Sequence, residues 1–243
     1  MPKVARSRWT WIAAAVLAAA ALVVVPVAFA ASPAYPPKAR VFGKKMTDWT
    51  AEWYQWAYGM PEFQSVFYDD TGSLSPLGQR GKVWFLGGAY EETTPGAFIA
   101  NRSITIPEGK ALLFPVMTTQ LDNVGSATVR DATSLYAEVA AFSAAVDPQS
   151  LVFEVDGVDL TDLLRRRVKS SVFEYTVGPG TFPIAFGALE GDVVYPAVSD
   201  GYWVMLKPLA VGVIHTIHVA GAVGGPYNYT QDINYVITVV ATD

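Results

Sequence analysis

The sequence predicts a mainly β protein: an antiparallel, jelly-roll-like β-sandwich with one or two α-helices packed on it. Three observations predict it. Short apolar or alternating runs recur along the chain from Lys82 to Val240. Gly- and Pro-containing turns separate many of them, among them Gly178-Pro179-Gly180, Glu190-Gly191-Asp192 and Gly224-Gly225-Pro226. No strand–helix–strand alternation is present, so a parallel doubly wound sheet is not indicated.

The domain is preceded by an export signal. Lys3, Arg6 and Arg8 form a basic start with no acidic residue, and Trp11 to Val25 is an uncharged apolar run of 15 residues. Pro26 breaks it, and Ala28-Phe29-Ala30 supplies an A-x-A cleavage site, giving a signal peptide over residues 1–30 with cleavage after Ala30. The stretch from Trp11 to Ala31 counts 21 uncharged residues, against the roughly 20 that span a bilayer, so a retained anchor is the rival reading. The expected location is the periplasm or the medium, with membrane attachment only if the segment is retained. Ser32 to Arg40 reads as a Pro-rich, extended tether, reaching to residue 44 before a single domain over residues 45–243.

Removal of residues 1–30 leaves 14 basic against 22 acidic residues, a net charge of −8. A surface of that sign disfavours nucleic acid and anionic membranes as partners. The chain has no cysteine, which removes thiol catalysis, Cys-ligated zinc and iron–sulfur chemistry. No Walker loop, dinucleotide fingerprint or zinc motif occurs, so neither a cofactor nor a metal is expected.

Met46 to Gly59 carries the clearest helix. Trp49, Trp53 and Trp56 recur at i, i+4 and i+7, Thr47 or Asp48 can cap the start, and Gly59 and Pro61 stop it. The Trp stripe is expected to dock on a sheet. A second helix is predicted over Ala132 to Ala145, where Leu135, Val139 and Phe142 share a face. Strands are predicted at Lys82–Gly88, Ser103–Pro107, Ala111–Val116, Ser150–Val155, Val172–Val177, Gly201–Leu206, Ile214–Val219 and Tyr235–Val240. Pro107-Glu108-Gly109-Lys110 reads as the turn of a β-hairpin, and Asp156-Gly157 as a two-residue turn.

The stretches WxxEWYQW (Trp49 to Trp56), GKVWFLGG (Gly81 to Gly88), IPEGKALLFPV (Ile106 to Val116) and PLAVGVIHTIHVAG (Pro208 to Gly221) resemble a family of uncharacterised bacterial exported proteins. That family runs from a Trp-rich helix through VWFL and IPxGKALxFPV strands. The resemblance covers most of residues 45–240 and implies export and one compact domain, without an activity. It also implies a Cys before the VWFL strand and another before the IPxGK turn. Here those regions read Ser73-Leu74-Ser75-Pro76 and Asn101-Arg102-Ser103, so the disulfide is lost.

Candidate chemistry is sparse. His215 and His218, the only histidines, fall on opposite faces of a strand and do not form a pair. No G-x-S-x-G elbow supports a hydrolase triad. Asp69-Asp70-Thr71-Gly72 and Asp156-Gly157-Val158-Asp159 lack the spacing of a calcium loop and read as turns. Arg165-Arg166-Arg167 reads as a solvated turn or edge. The ligand-binding candidates are Trp49, Trp53, Trp56 and Trp84 as stacking rings, with Glu52, Lys110 and Asp122 as polar groups beside them. A non-catalytic binding module for carbohydrate or another small ligand is the first functional expectation. The others are a carboxylate-based hydrolase of an extracellular polymer, which needs two facing acidic groups, and a cell-surface structural or assembly protein.

Overall fold

The computed structural model describes residues 32–90 and 92–242. The predicted signal segment lies outside the described residues. Two sheets stack face to face with two helices. One sheet contains β1 (Val83–Phe85), β4 (Ala111–Leu121), β9 (Val193–Leu206) and β7 (Arg167–Lys169) in that order, and β8 (Phe173–Thr176) pairs with the far end of β9. The other sheet is ordered β2 (Glu92–Thr94), β3 (Ala97–Pro107), β11 (Tyr229–Val240), β10 (Ile214–Val223), β5 (Val152–Val155) and β6 (Val158–Asp159). Helices α1 (Met46–Gly59) and α2 (Ala132–Ala145) complete the fold.

The strands show why each sits where it does. β3 and β11 alternate buried and exposed residues, so one face of their sheet meets the core and the other meets water. β4 is buried at every position from Ala111 to Met117, because it is covered on both faces. Leu112, Phe114 and Val116 pack toward Ile217, Ile233, Tyr235 and Ile237 of the second sheet. Ala111 and Leu113 face the other way and join Trp53, Tyr54 and Tyr58 of α1. The predicted docking of the Trp stripe is thus observed, with Trp53 edge-on to Trp203 of β9 at 5.4 Å between ring centres.

The structure departs from the sequence reading in several places. The turn at residues 107–110 does not close a hairpin: β3 and β4 lie in different sheets, so the turn carries the chain across the sandwich. β3 pairs in parallel with β11, and β1 in parallel with β4, within otherwise antiparallel sheets. α1 begins one residue before Thr47, with Lys45 at the cap position and no side chain capping it. The 32–44 segment is no free tether. Ala34 bridges Leu206 and is buried, and the Tyr35 amide donates to Met205 O at 2.8 Å. In the three-arginine run Arg165 and Arg167 are exposed, as a solvated edge requires, but Arg166 is not. Arg166 is 3% exposed, donating to Asp162 and to Tyr35 O, and Arg167 donates twice to the fully buried Asp200 carboxylate at 2.9 and 2.8 Å. The two-residue turn, by contrast, forms as read: Asp156 and Gly157 have φ of 52° and 79°, the left-handed pair that a type I′ turn requires.

Candidate functional site

A ring-lined cleft has a volume of about 450 Å3, within the range of roughly 300–1,000 Å3 typical of small-ligand sites. It is built from segments far apart in sequence. α1 contributes Trp53, Tyr54 and Tyr58, β4 contributes Pro115 and Met117 to Gln120, and β11 contributes Tyr229 and Gln231. The loops add Phe67, Tyr90, Phe182 and Tyr227, and α2 adds Phe142.

Six of these rings form a closed circuit. Trp53 contacts Tyr54, Tyr54 contacts Tyr58, Tyr58 stacks on Phe182, Phe182 meets Tyr90 edge-on, Tyr90 meets Phe67, and Phe67 returns to Trp53. Centroid separations around the circuit run from 4.8 to 6.3 Å, the distances at which aromatic pairs attract. Elsewhere in the lining, Phe142 and Tyr227 pair edge-on at 5.0 Å.

Hydrogen bonds fix the polar groups among the rings. Trp53 Nε1 donates to Leu86 O at 2.7 Å. The Tyr229 hydroxyl donates to Ala89 O at 2.8 Å and lies 3.1 Å from Gln231 Oε1, while Gln231 Nε2 donates to Val116 O. Tyr54 Oη and Thr118 Oγ1 are 3.3 Å apart. No Asp, Glu, Lys, Arg or His lines this cleft among the described residues. Burial holds the Tyr54, Tyr58 and Tyr229 phenols above their ordinary range, and Tyr90 is pushed up to about 12 by burial and then by Tyr68. The lining is therefore neutral over the whole physiological pH range.

A smaller pocket of about 140 Å3 adjoins it, sharing Tyr58, Gln120 and Phe182. Here Asp122 and Arg130 supply charge, but both are engaged. Asp122 Oδ2 accepts from the Tyr175 hydroxyl at 2.6 Å and from Gln120 Nε2 at 2.8 Å, and Oδ1 accepts from the Val124 amide at 2.7 Å. Arg130 donates to Glu138 and to Asp122 O.

Of the seven candidates read from the sequence, Trp53 borders the main cleft and Asp122 the smaller pocket. The other five lie elsewhere. Trp49 is buried with Nε1 on Val41 O at 2.9 Å, and Lys44 sits 4.7 Å over its ring. Glu52 is paired with Lys44 on the outer side of α1. Trp56 is half-buried and points its Nε1 toward Leu77 O. Trp84 is in the sandwich core with Nε1 on Ser75 Oγ at 3.1 Å. Lys110 donates to Gly81 O beside its turn. Each indole finds its own carbonyl or hydroxyl, which is why four promising rings yield one cleft residue. Tyr54 and Tyr58 share a helical face at i and i+4, a signal present in the sequence beside the more conspicuous tryptophans. Tyr90, Phe182 and Tyr229 carry no such local signal.

The remaining motifs are structural. His215 is buried, with Nδ1 2.7 Å from Asp156 Oδ2, and His218 lies on the opposite face near Asp232. The Asp69 carboxylate accepts from the Gly72 and Leu74 amides, which makes a turn. No group of three or more metal-ligating side chains occurs among the described residues, and none of their helices is long and apolar enough to cross a membrane. Comparisons with protein-family models, curated proteins and solved structures give no match.

Proposed function

We propose that this protein is an exported, non-catalytic binding module for a small neutral ligand, and that the ring-lined cleft holds that ligand. The carrying observation is the cleft itself: about 450 Å3, concave, aromatic on several sides and without a charged side chain. Export is supported by the charge, hydropathy and A-x-A pattern of residues 1–30. The two alternatives have less support. Hydrolysis by paired carboxylates needs two acidic groups across a cleft, and the two pockets hold one between them, Asp122, with both oxygens occupied. Surface assembly by strand addition needs a long free edge; the outermost strands β1, β2, β6 and β7 are two or three residues long, and beyond β2 the edge of β3 is met by the Thr71 loop, whose carbonyl accepts from the Ser103 amide.

The test is a thermal-shift screen of neutral small molecules, saccharides included, repeated on Thr119→Trp, which places a bulky ring in the cleft. A ligand present at 100 times its Kd stabilises by about 2.7 kcal/mol, a rise of about 5–10 °C for a chain of this size. The shift is expected in the parent protein and lost in the variant. Shifts that survive the substitution, or a screen with none, would overturn the assignment of the cleft.

A further inference from the structure

The polar groups of the cleft are not equally committed. Tyr54, Thr118, Tyr229 and Gln231 each have a protein partner. Among the described residues the hydroxyls of Tyr58, Thr119, Tyr90 and Tyr227 have no hydrogen-bond partner, and of these four only Tyr58, which borders both pockets, is buried, at 6% exposed. The Tyr58 oxygen is not sealed off from solvent-sized space, and the open space beside Tyr58 is the cleft with its adjoining pocket. A buried phenol is ordinarily hydrogen-bonded, and burial keeps this one protonated. It therefore presents both a donor and an acceptor to whatever fills the space.

The surroundings of Tyr58 narrow the ligand further. It belongs to the six-ring circuit, stacked 16° from parallel on Phe182, and Phe142, Tyr227 and Tyr229 add further rings to the lining. A planar aromatic body meets such walls by face and edge contact. A saccharide carries hydroxyls around its whole rim, and rings cannot replace the water those hydroxyls would lose. A carboxylate or ammonium ligand would find no counter-charge in the lining.

We infer that the cleft takes a neutral, planar aromatic compound bearing one hydroxyl or carbonyl group, a phenol or aryl ketone, with that group hydrogen-bonded to the Tyr58 hydroxyl. This rests on the reading of the cleft as a ligand site and names its ligand class.

The test titrates the purified protein with 2-naphthol, naphthalene, 2-naphthoate and cellobiose, followed by calorimetry and by tryptophan fluorescence, since Trp53 lines the cleft. The expected result is one saturable site for 2-naphthol, at least tenfold weaker binding of 2-naphthoate, and no binding of cellobiose. Tyr58→Phe should weaken 2-naphthol by roughly 3- to 10-fold, the scale of one neutral hydrogen bond, and leave naphthalene unchanged. Tyr90→Ala, which removes a ring that is 40% exposed, should weaken both aromatic probes and covers the case in which Tyr58→Phe misfolds. Cellobiose or 2-naphthoate binding in preference to 2-naphthol would overturn the ligand class while leaving the cleft as a binding site. Equal losses of 2-naphthol and naphthalene in Tyr58→Phe would overturn the role of the hydroxyl. Binding of none of the four probes, together with an empty thermal-shift screen, would overturn both readings.

Discussion

Arg102→Met should be among the most damaging single substitutions in the domain. Arg102 lies on β3, is 2% exposed, and directs its guanidinium into the core. It donates to Asp69 O at 2.5 Å, Gly87 O at 2.8 Å, Gly88 O at 2.9 Å and Val66 O at 3.3 Å, and to the Tyr235 hydroxyl at 2.6 Å. None of the ion pairs among the described residues involves it. One side chain thus pins two loops, around residues 66–69 and 87–88, to the second sheet. Those loops lead into Phe67 and Tyr90, two rings of the cleft wall. Methionine has similar length but no donors, so four carbonyls lose a partner. A buried polar group left unsatisfied costs about 1–3 kcal/mol. Partial hydration lowers the total, and a loss of about 3–5 kcal/mol is expected, a large fraction of the 5–15 kcal/mol that holds a typical domain together. That corresponds to a fall in Tm of about 6–20 °C. Arg102→Lys should fall between the two, because a single ammonium cannot reach carbonyls that a planar fork spans. Urea unfolding at neutral pH measures both variants. A loss below about 1 kcal/mol for Arg102→Met would refute the claim that this guanidinium holds the loops.

The remaining predictions concern alkaline stability, backbone packing and export. Tyr54, Tyr58 and Tyr235 are 4%, 6% and 1% exposed, and burial raises each phenol above its ordinary 10.0. A raised folded pKa means stability that is complete below pH 10 and lost as pH climbs above it. Each phenol that ionises only on unfolding adds a slope of about 1.4 kcal/mol per pH unit. Urea midpoints should hold to pH 9 and drop at pH 10.5 and 11, with a further step of phenolate absorbance, from these buried phenols, accompanying unfolding; a flat profile would contradict this. A Cβ at Gly201 would lie 2.4 Å from both Met117 O and Thr118 Cα, so Gly201→Ala should destabilise by about 1–3 kcal/mol or prevent folding, read from the melting curve. Gly157→Ala, with open space around it and φ of 79°, should lose only about 1–2 kcal/mol from left-handed strain. Secretion of the full chain from a bacterial host should yield a product beginning at Ala31, and an intact mass that retains residues 1–30 would instead favour an anchor.

Much of the fold is legible locally because the alternation of apolar and polar residues reports which face is wet. The exposed–buried alternation of Ser103–Pro107 marked a half-solvated strand, and the unbroken apolar run of Ala111–Val116 marked a doubly covered one. The turn between them was misleading for the same reason. Pro107-Glu108-Gly109-Lys110 has the composition of a hairpin turn, but pairing is decided by where the two apolar faces can be buried. β4 needs cover on both sides and finds it in the middle of one sheet, against α1 and the other sheet. β3 needs cover on one side and finds it beside β11. The arginine run misled in a similar way. Arg166 becomes a buried clamp and Arg167 a partly exposed one because Asp162, Tyr35 O and Asp200 come to meet them, the last two from 131 and 33 residues away.

By itself the sequence determined a mainly β sandwich with one or two helices, the span of the second helix, the Trp face of the first, and the opposite orientation of its two histidines. These follow from periodicity, which needs only neighbours along the chain. Only the tertiary structure decided the cleft. Phe67, Tyr90, Phe182 and Tyr229 share no local pattern, and whether an aromatic ring fills core or faces a cavity depends on what the opposite wall brings. Trp49, Trp53 and Trp84 look equivalent in the sequence, yet of the three only Trp53 reaches the cleft, because Trp49 and Trp84 are packed into the two hydrophobic clusters away from it. The uncommitted hydroxyl of Tyr58 is likewise a tertiary fact, since a hydrogen-bond partner is supplied or withheld by residues remote in the chain.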